Sequence, residues 1–125
     1  MPNQATTTGA ILAMNGEFGV TQRDRLKQAF DAVQNERCVV VDVAKTAFID
    51  STILGSLLRL RADVIRNGGS FVLAAPSTMV QRLLDITMLT QIFDVRKDVD
   101  EIAGSATFRR IEVVSDETSL LQPPS

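Results

Sequence analysis

A carboxylate and two adjacent hydroxyls, Asp50, Ser51 and Thr52, follow the most strand-like part of the sequence and precede its most regular helical pattern. The first backbone N–H groups of a helix have no partner inside the helix, so acidic and hydroxyl side chains at this point act as caps. The same N–H groups also bind phosphate. The stretch from Thr46 to Leu58 therefore predicts a capping site that is also suited to a phosphate.

The composition excludes several kinds of catalytic site. The sequence contains no histidine, so a Ser-His-Asp triad, a Cys-His pair and a zinc site with imidazole ligands are all excluded. The acidic residues are scattered over predicted helix surfaces and turns without an evident catalytic pair, and there is no glycine-rich loop of the P-loop kind. We therefore predict that the chain is not an enzyme and that it holds no metal and no cofactor.

Charge and cysteine content favour a protein of the cytoplasm. The 13 Lys and Arg residues are spread along the chain beside 15 Asp and Glu residues, which disfavours binding to nucleic acid or to an anionic membrane. The single cysteine, Cys38, lies in an apolar run, which excludes an internal disulfide and suits a reducing compartment. Neither a signal peptide nor an apolar run long enough to span a membrane is evident. We therefore predict a cytoplasmic location without membrane insertion.

Apolar periodicity predicts an alternation of strands and helices. The predicted strands are 4–8, 10–14, 38–43, 71–75 and 92–95, and the predicted helices are 22–34, 52–67, a segment after Ser77 and a segment from Asp98 toward Ala103. We expect the first two strands to pair antiparallel, and Asn15-Gly16 to form a turn. Alternating βα units imply an α/β fold with a mostly parallel central sheet and about four helices. Residues 108–114 fit either a longer last helix or a further strand.

The run from Cys38 to Val43 is typical of a strand at the centre of a parallel sheet. It is rich in β-branched residues and has almost no polar alternation, as expected where both faces of the strand are covered. Asp42 interrupts this run near its end. We predict that the Asp42 carboxylate caps the exit loop and has no catalytic role.

The long predicted helix carries two apolar stripes. The first stripe contains Leu54, Leu57, Leu58 and Ile65, and the second contains Ile53, Leu57, Leu60 and Val64. One stripe must cover the sheet. The second is either buried against a neighbouring element or exposed beside Ser51 as the apolar centre of a docking patch, edged by Arg59, Arg61 or Arg66. The sequence leaves both alternatives open.

The order of these elements resembles the STAS domain, the fold of bacterial anti-sigma factor antagonists. The segments that carry the resemblance are Val39-Val40-Val41-Asp42-Val43, Phe48-Ile49-Asp50-Ser51-Thr52 and Leu54-Gly55-Ser56-Leu57-Leu58, supported by 16–18, 68–73 and 76–84. The resemblance implies a single STAS domain over residues 4–104. Residues 105–125 would form a C-terminal extension that is partly mobile, because its end is polar and finishes in Pro123-Pro124.

In that family the serine directly after the aspartate, here Ser51, is phosphorylated by an anti-sigma factor that is also a serine kinase. The resemblance implies that the unphosphorylated chain binds this anti-sigma factor and frees the sigma factor, and that phosphorylation ends the binding. The residues expected to contact the partner around Ser51 are Asp50, Thr52, Ile53, Leu54, Leu57 and Arg61. The alternative is an accessory or scaffold STAS subunit of a signalling complex or of a lipid-transport system, without phosphoregulation. Whether the chain forms a homodimer is left open.

Three positions depart from the family pattern. Ile53 stands where a glycine often follows the Asp-Ser-Thr triplet, which adds apolar bulk beside the expected phosphorylation site. Gly19 stands where an aspartate is usual, which removes a carboxylate that lies near that site in some members. Met88 replaces a common glycine and is expected to affect only a loop.

Overall fold

Strands and helices alternate along the chain in the computed structural model, which describes residues 9–99 and 107–115. The elements are β1 (Gly9–Phe18), α1 (Arg23–Val33), β2 (Cys38–Asp42), β3 (Thr46–Ile49), α2 (Ser51–Arg66), β4 (Ser70–Ala74), α3 (Thr78–Ile86), β5 (Asp94–Arg96) and β6 (Phe108–Val114). Two single-turn 3₁₀ helices lie at Val20–Gln22 and Leu89–Gln91. The predicted α/β class is therefore confirmed.

The six strands form one sheet in the order β3-β1-β2-β4-β5, and β6 pairs with β1. Every pairing between the described strands is parallel. β1 has two partners in succession, since its residues Ala10–Ala13 pair with β2 and its residues Gly16–Phe18 pair with β3. The prediction of a mostly parallel sheet is confirmed, and residues 108–114, which the sequence left undecided, form a strand.

The predicted antiparallel pair at the N-terminus is wrong. β1 continues for 10 residues through Asn15-Gly16, and its pairing with the neighbouring strands is parallel throughout. Gly16 takes a φ of +119°, and the register shifts between Gly16 and Glu17. The Asn-Gly sequence thus forms an irregularity inside a strand, where glycine tolerates the positive φ, and not the end of a strand. The predicted strand 4–8 lies outside the described residues.

Helix boundaries agree closely with the periodicity. The predicted helices 22–34 and 52–67 correspond to α1 and α2, and the predicted cap Ser77 accepts a hydrogen bond from the backbone N–H of Val80 at the start of α3. Within residues 9–99 and 107–115 there are three α-helices rather than about four. Most of the fourth, predicted from Asp98 toward Ala103, lies outside the described residues. Asp42 caps its exit loop as predicted, because its Oδ1 accepts a hydrogen bond from the backbone N–H of Ala44 at 3.0 Å.

The core lies between the sheet and the two long helices. Strand residues on the helix side of the sheet, such as Leu12 and Val41, are buried together with Leu26 of α1 and Leu57 of α2. Residues that point the other way, including Val40, form a second, smaller apolar cluster. β2 is therefore buried on both faces, as its unbroken apolar run predicts.

We expect Gly16→Ala to lower the free energy of unfolding by about 1–3 kcal/mol, because alanine is strained at this positive φ and its methyl group would meet the hydroxyl of Ser115. Urea denaturation measures the change. Gly55→Ala is the control, since Gly55 lies within α2 and an added Cβ there would meet nothing within 4 Å. This control should be about 0.5–1 kcal/mol more stable than the original chain. Equal effects of the two substitutions would contradict the special role of Gly16.

Candidate functional site

Asp50 fixes the junction between β3 and α2. Its backbone N–H donates to the carbonyl of Phe18 at 3.2 Å, which ties the junction to the end of β1. Its Oδ1 accepts a hydrogen bond from the backbone N–H of Ile53 at 2.9 Å, and its carbonyl accepts one from Leu54 at 3.0 Å. Asp50 is therefore the N-cap of α2, and the predicted capping site is confirmed.

Ser51 and Thr52 are the first two residues of α2, and both side chains are exposed. Neither hydroxyl has a hydrogen-bond partner among the described residues. Two hydroxyls on neighbouring segments, by contrast, are occupied: the Thr46 hydroxyl donates to the carbonyl of Met14 at 2.7 Å, and the Ser77 hydroxyl donates to the carbonyl of Thr46 at 2.7 Å. The hydroxyls after Asp50 are thus accessible to a reacting group from solvent.

The start of α1 lies beside the start of α2. A Cβ added to Gly19 would lie 3.2 Å from Oδ2 of Asp50 and 4.0 Å from Oε1 of Gln22, and the backbone N–H of Gly19 donates to that Gln22 oxygen at 2.8 Å. A carboxylate at position 19 would therefore lie next to Asp50. Since this chain has glycine there, the junction carries less negative charge than the family pattern leads one to expect.

Of the two alternatives for the second stripe of α2, the exposed apolar docking patch is wrong, because the stripe is buried. The exposed fractions of Ile53, Leu57 and Leu60 are 0%, 1% and 2%, and Leu54 is also buried. The physical reason is that α2 packs against both the sheet and α1, so the second stripe is covered as well. Ile53, Leu54 and Leu57, expected to contact a partner, instead hold α2 in place.

The exposure of two further residues of α2, Ile65 and Arg61, bears on the predictions. Ile65, assigned to the stripe that covers the sheet, is 46% exposed. Arg61, expected to contact a partner, is half-buried. The residues expected around the site that remain at the surface are therefore the exposed Ser51 and Thr52 and the half-buried Asp50 and Arg61.

A groove of about 460 Å³ runs between α1 and α2, and the sequence pattern does not predict it. Its basic residues are Arg23, Lys27 and Arg59, its hydroxyls belong to Thr52 and Ser56, and its acidic residues are Asp31 and Asp63. Periodicity identifies the apolar side of each helix but does not tell which polar residues of two helices face one another. The one local signal is Gly55, a glycine inside an otherwise regular helix.

Within residues 9–99 and 107–115 no group of three or more His, Cys, Asp or Glu side chains is placed to hold a metal ion. No helix there combines the length and the apolar character needed to cross a membrane.

The family model of the STAS domain matches residues 2–102, most of the chain. The chain belongs to the STAS domain family. In this STAS domain the Asp50-Ser51-Thr52 triplet lies at the start of α2, as its sequence pattern predicts.

Two solved structures share the STAS fold with this chain. A sulfate transporter family protein from Wolinella succinogenes matches with a TM-score of 0.65 and 19% sequence identity, over 76% of this chain and 81% of its own. A candidate anti-sigma factor antagonist from Thermotoga maritima matches with a TM-score of 0.64 and 24% identity, over 72% of this chain and 80% of its own. At these identities the likeness shows the fold alone.

The STAS match ends at residue 102, whereas β6 lies after it. β6 pairs with β1 from Gly9 opposite Phe108 to Asn15 opposite Val114. The sheet of this STAS domain thus includes a strand from beyond the matched residues.

We expect Asp50→Ala to lower the free energy of unfolding of this STAS domain by about 0.5–2 kcal/mol, because the N–H of Ile53 loses its acceptor. Asp50→Asn keeps a side-chain oxygen in the same place and should differ little from the original chain. Urea denaturation followed by circular dichroism measures both variants. An Asn variant as unstable as the Ala variant would contradict a capping role.

Proposed function

We propose that this STAS domain protein is an anti-sigma factor antagonist that binds an anti-sigma factor with serine kinase activity and is switched off by phosphorylation of Ser51. The observation that carries the proposal is the Ser51 hydroxyl, which is exposed and unpaired at the first position of α2. A kinase needs a hydroxyl that can enter its active site, and the family pattern places the acceptor at this serine. In this proposal the chain is a substrate of its partner and has no catalytic activity of its own.

The helix start favours a phosphate on Ser51. A phosphoserine carries close to two negative charges at neutral pH, and the N-terminus of a helix is positively polarised. The Asp50 carboxylate opposes the phosphate by like charge, but one of its oxygens already accepts the N–H of Ile53. The fold therefore accommodates the modification, and the change falls on the surface offered to the partner.

The partner would meet a small hydroxyl before phosphorylation and a dianion after it. The residues available to contact it directly are Asp50, Thr52 and Arg61, since Ile53, Leu54 and Leu57 are buried. A buried or apolar partner surface pays a large desolvation cost for a phosphate that it does not neutralise. Loss of binding thus follows from charge at the interface without a change of fold. We place this interaction in the cytoplasm.

We expect a serine kinase that co-purifies with the chain to transfer one phosphate to Ser51. Incubation with ATP followed by mass spectrometry of peptides locates the phosphate. Ser51→Ala should remain unmodified and should stay bound to the kinase in the presence of ATP, whereas Thr52→Val should still carry its phosphate on Ser51. Phosphate on Thr52 alone, or continued binding of the phosphorylated chain, would reject the proposal.

We expect phosphorylation of Ser51 to raise the free energy of unfolding by about 0.3–1 kcal/mol at low salt, because the phosphate lies at the positive end of α2. Urea denaturation of the phosphorylated and unmodified chains compares the two states. The gain should shrink as salt is added, since salt screens the interaction. Destabilisation by the phosphate would indicate a switch that works through unfolding.

A second candidate is an accessory STAS subunit of a transport system, for which Ser51 stays unmodified. The likeness to the sulfate transporter family protein from Wolinella succinogenes favours it. Co-purification from native cells separates the two candidates. A kinase-like ATPase partner supports the antagonist, and a membrane permease supports the accessory subunit.

A further inference from the structure

The groove between α1 and α2 is elongated because the two helices run side by side in the same direction. At their C-terminal ends, the Asn67 side-chain amide donates to the carbonyl of Gln34 at 3.2 Å and to Oδ1 of Asn35 at 2.9 Å. Along α2 the groove extends from Thr52 to Asp63, which is roughly 16 Å at 1.5 Å per residue. An extended peptide of about five residues has the same length.

The charges of the groove are arranged unevenly. The side chains of Arg23 and Arg59 are exposed, and neither guanidinium group has a hydrogen bond or ion pair with another described residue. The acidic residues of the groove are already paired: Asp31 with Lys27 at 3.1 Å, and Asp63 with Arg66. Two unpaired positive charges therefore remain, one on each wall of the groove.

Gly55 opens one wall of the groove. A glycine inside a helix costs about 0.5–1 kcal/mol relative to alanine, and nothing within the described residues lies close enough to require it here, because an added Cβ would meet no atom within 4 Å. Its missing side chain leaves the backbone of α2 open to close approach. Thr52 and Ser56 flank it along the groove. The Thr52 hydroxyl can donate or accept a hydrogen bond, whereas the Ser56 hydroxyl donates to the carbonyl of Thr52 at 3.1 Å and can only accept one.

We propose that this groove binds an acidic segment of the partner protein, with carboxylates placed between Arg23 and Arg59 and the segment's main chain packed over Gly55. A small-molecule site encloses most of its ligand, whereas this groove is open and Arg23, Lys27, Gly55 and Arg59 are all exposed. Nucleic acid needs an extended basic surface, and this groove offers two unpaired cations beside two carboxylates. Its length and charge match an acidic peptide.

This inference rests on the proposed function where it explains the switch. Ser51 directly precedes Thr52, which lines the groove. A phosphate on Ser51 brings close to two negative charges to the end of the groove where Thr52 lies. It repels the carboxylates of the acidic segment. Phosphorylation therefore weakens binding of the partner at the groove as well as at Ser51 itself.

The test uses the full chain and two probes, the co-purified kinase and a capped pentaglutamate peptide at low salt. Arg23→Glu/Arg59→Glu reverses the groove charges. Arg37→Glu/Arg82→Glu is the matched control, because both residues are exposed, lie outside the groove and have no described ion pair. Both pairs change the net charge equally. Circular dichroism and urea denaturation verify that each variant is folded.

We expect pentaglutamate to shift the amide NMR signals of groove residues on α1 and α2, and pentalysine to leave them unchanged. The groove pair should raise the dissociation constant for both probes at least tenfold, and the control pair less than twofold. Gly55→Leu should also weaken binding of both probes. Gly55→Ala is the reference for the fold, since an added Cβ at this position meets nothing within 4 Å. The phosphorylated chain should bind pentaglutamate more weakly than the unmodified chain.

If the groove pair and the control pair weaken binding of the probes equally, the inference is overturned. It is also overturned if the amide signals of groove residues shift when ATP is added in a separate titration but not when pentaglutamate is added. The two proposals fail separately. If Ser51 is phosphorylated and releases the kinase while the groove variants bind it normally, the groove inference is wrong and the antagonist function stands. If Ser51 is never phosphorylated but pentaglutamate binding depends on the arginines, the antagonist function is wrong and the groove stands.

Discussion

The hydrogen bonds of Asp50 fix the start of α2, and with it Ser51, relative to the end of β1. Its backbone N–H bonds to Phe18 at the end of β1, and its carboxylate caps the first turn of α2. One residue thus joins the central strand, the short strand β3 and the longest helix. Because the carboxyl ends of parallel strands lie at one edge of a sheet, the starts of α1 and α2 meet at that edge. Ser51 is exposed because the residue before it is fixed in this way.

Packing divides α2 into a structural side and a polar side. Ile53, Leu57 and Leu60 are almost completely buried, so the helix is held by apolar contacts with the sheet and α1. The groove side of α2 presents Thr52, Gly55, Ser56, Arg59 and Asp63, and the groove lining also includes the buried Phe30 and Leu60. A partner that enters the groove meets hydroxyls, charges and the backbone at Gly55. Recognition by such a surface responds strongly to one added phosphate, because much of it is electrostatic.

Local features were more predictable from the sequence than the details of long-range pairing. Caps and helix boundaries depend on neighbouring residues, so Asp50 and Ser77 were identified correctly. Asn15-Gly16 gives the same local signal for a turn and for a positive φ within a strand, and only the pairing of β1 with β3 decides between them. The strand β6 becomes clear only through its pairing with β1.

The same limit applies to the site. A helix sequence shows which residues share a face, but not that α1 covers the second stripe of α2 or that Arg23 and Arg59 lie across one groove. The residues that depart from the family pattern gain their meaning from such contacts. Ile53 is fully buried, so its apolar bulk affects packing beneath Ser51 and not the surface seen by a kinase. Gly19 lies against the Asp50 carboxylate, so it reduces the negative charge that a phosphate on Ser51 would face. With less repulsion at the junction, the positive end of α2 has more influence over an anion placed there.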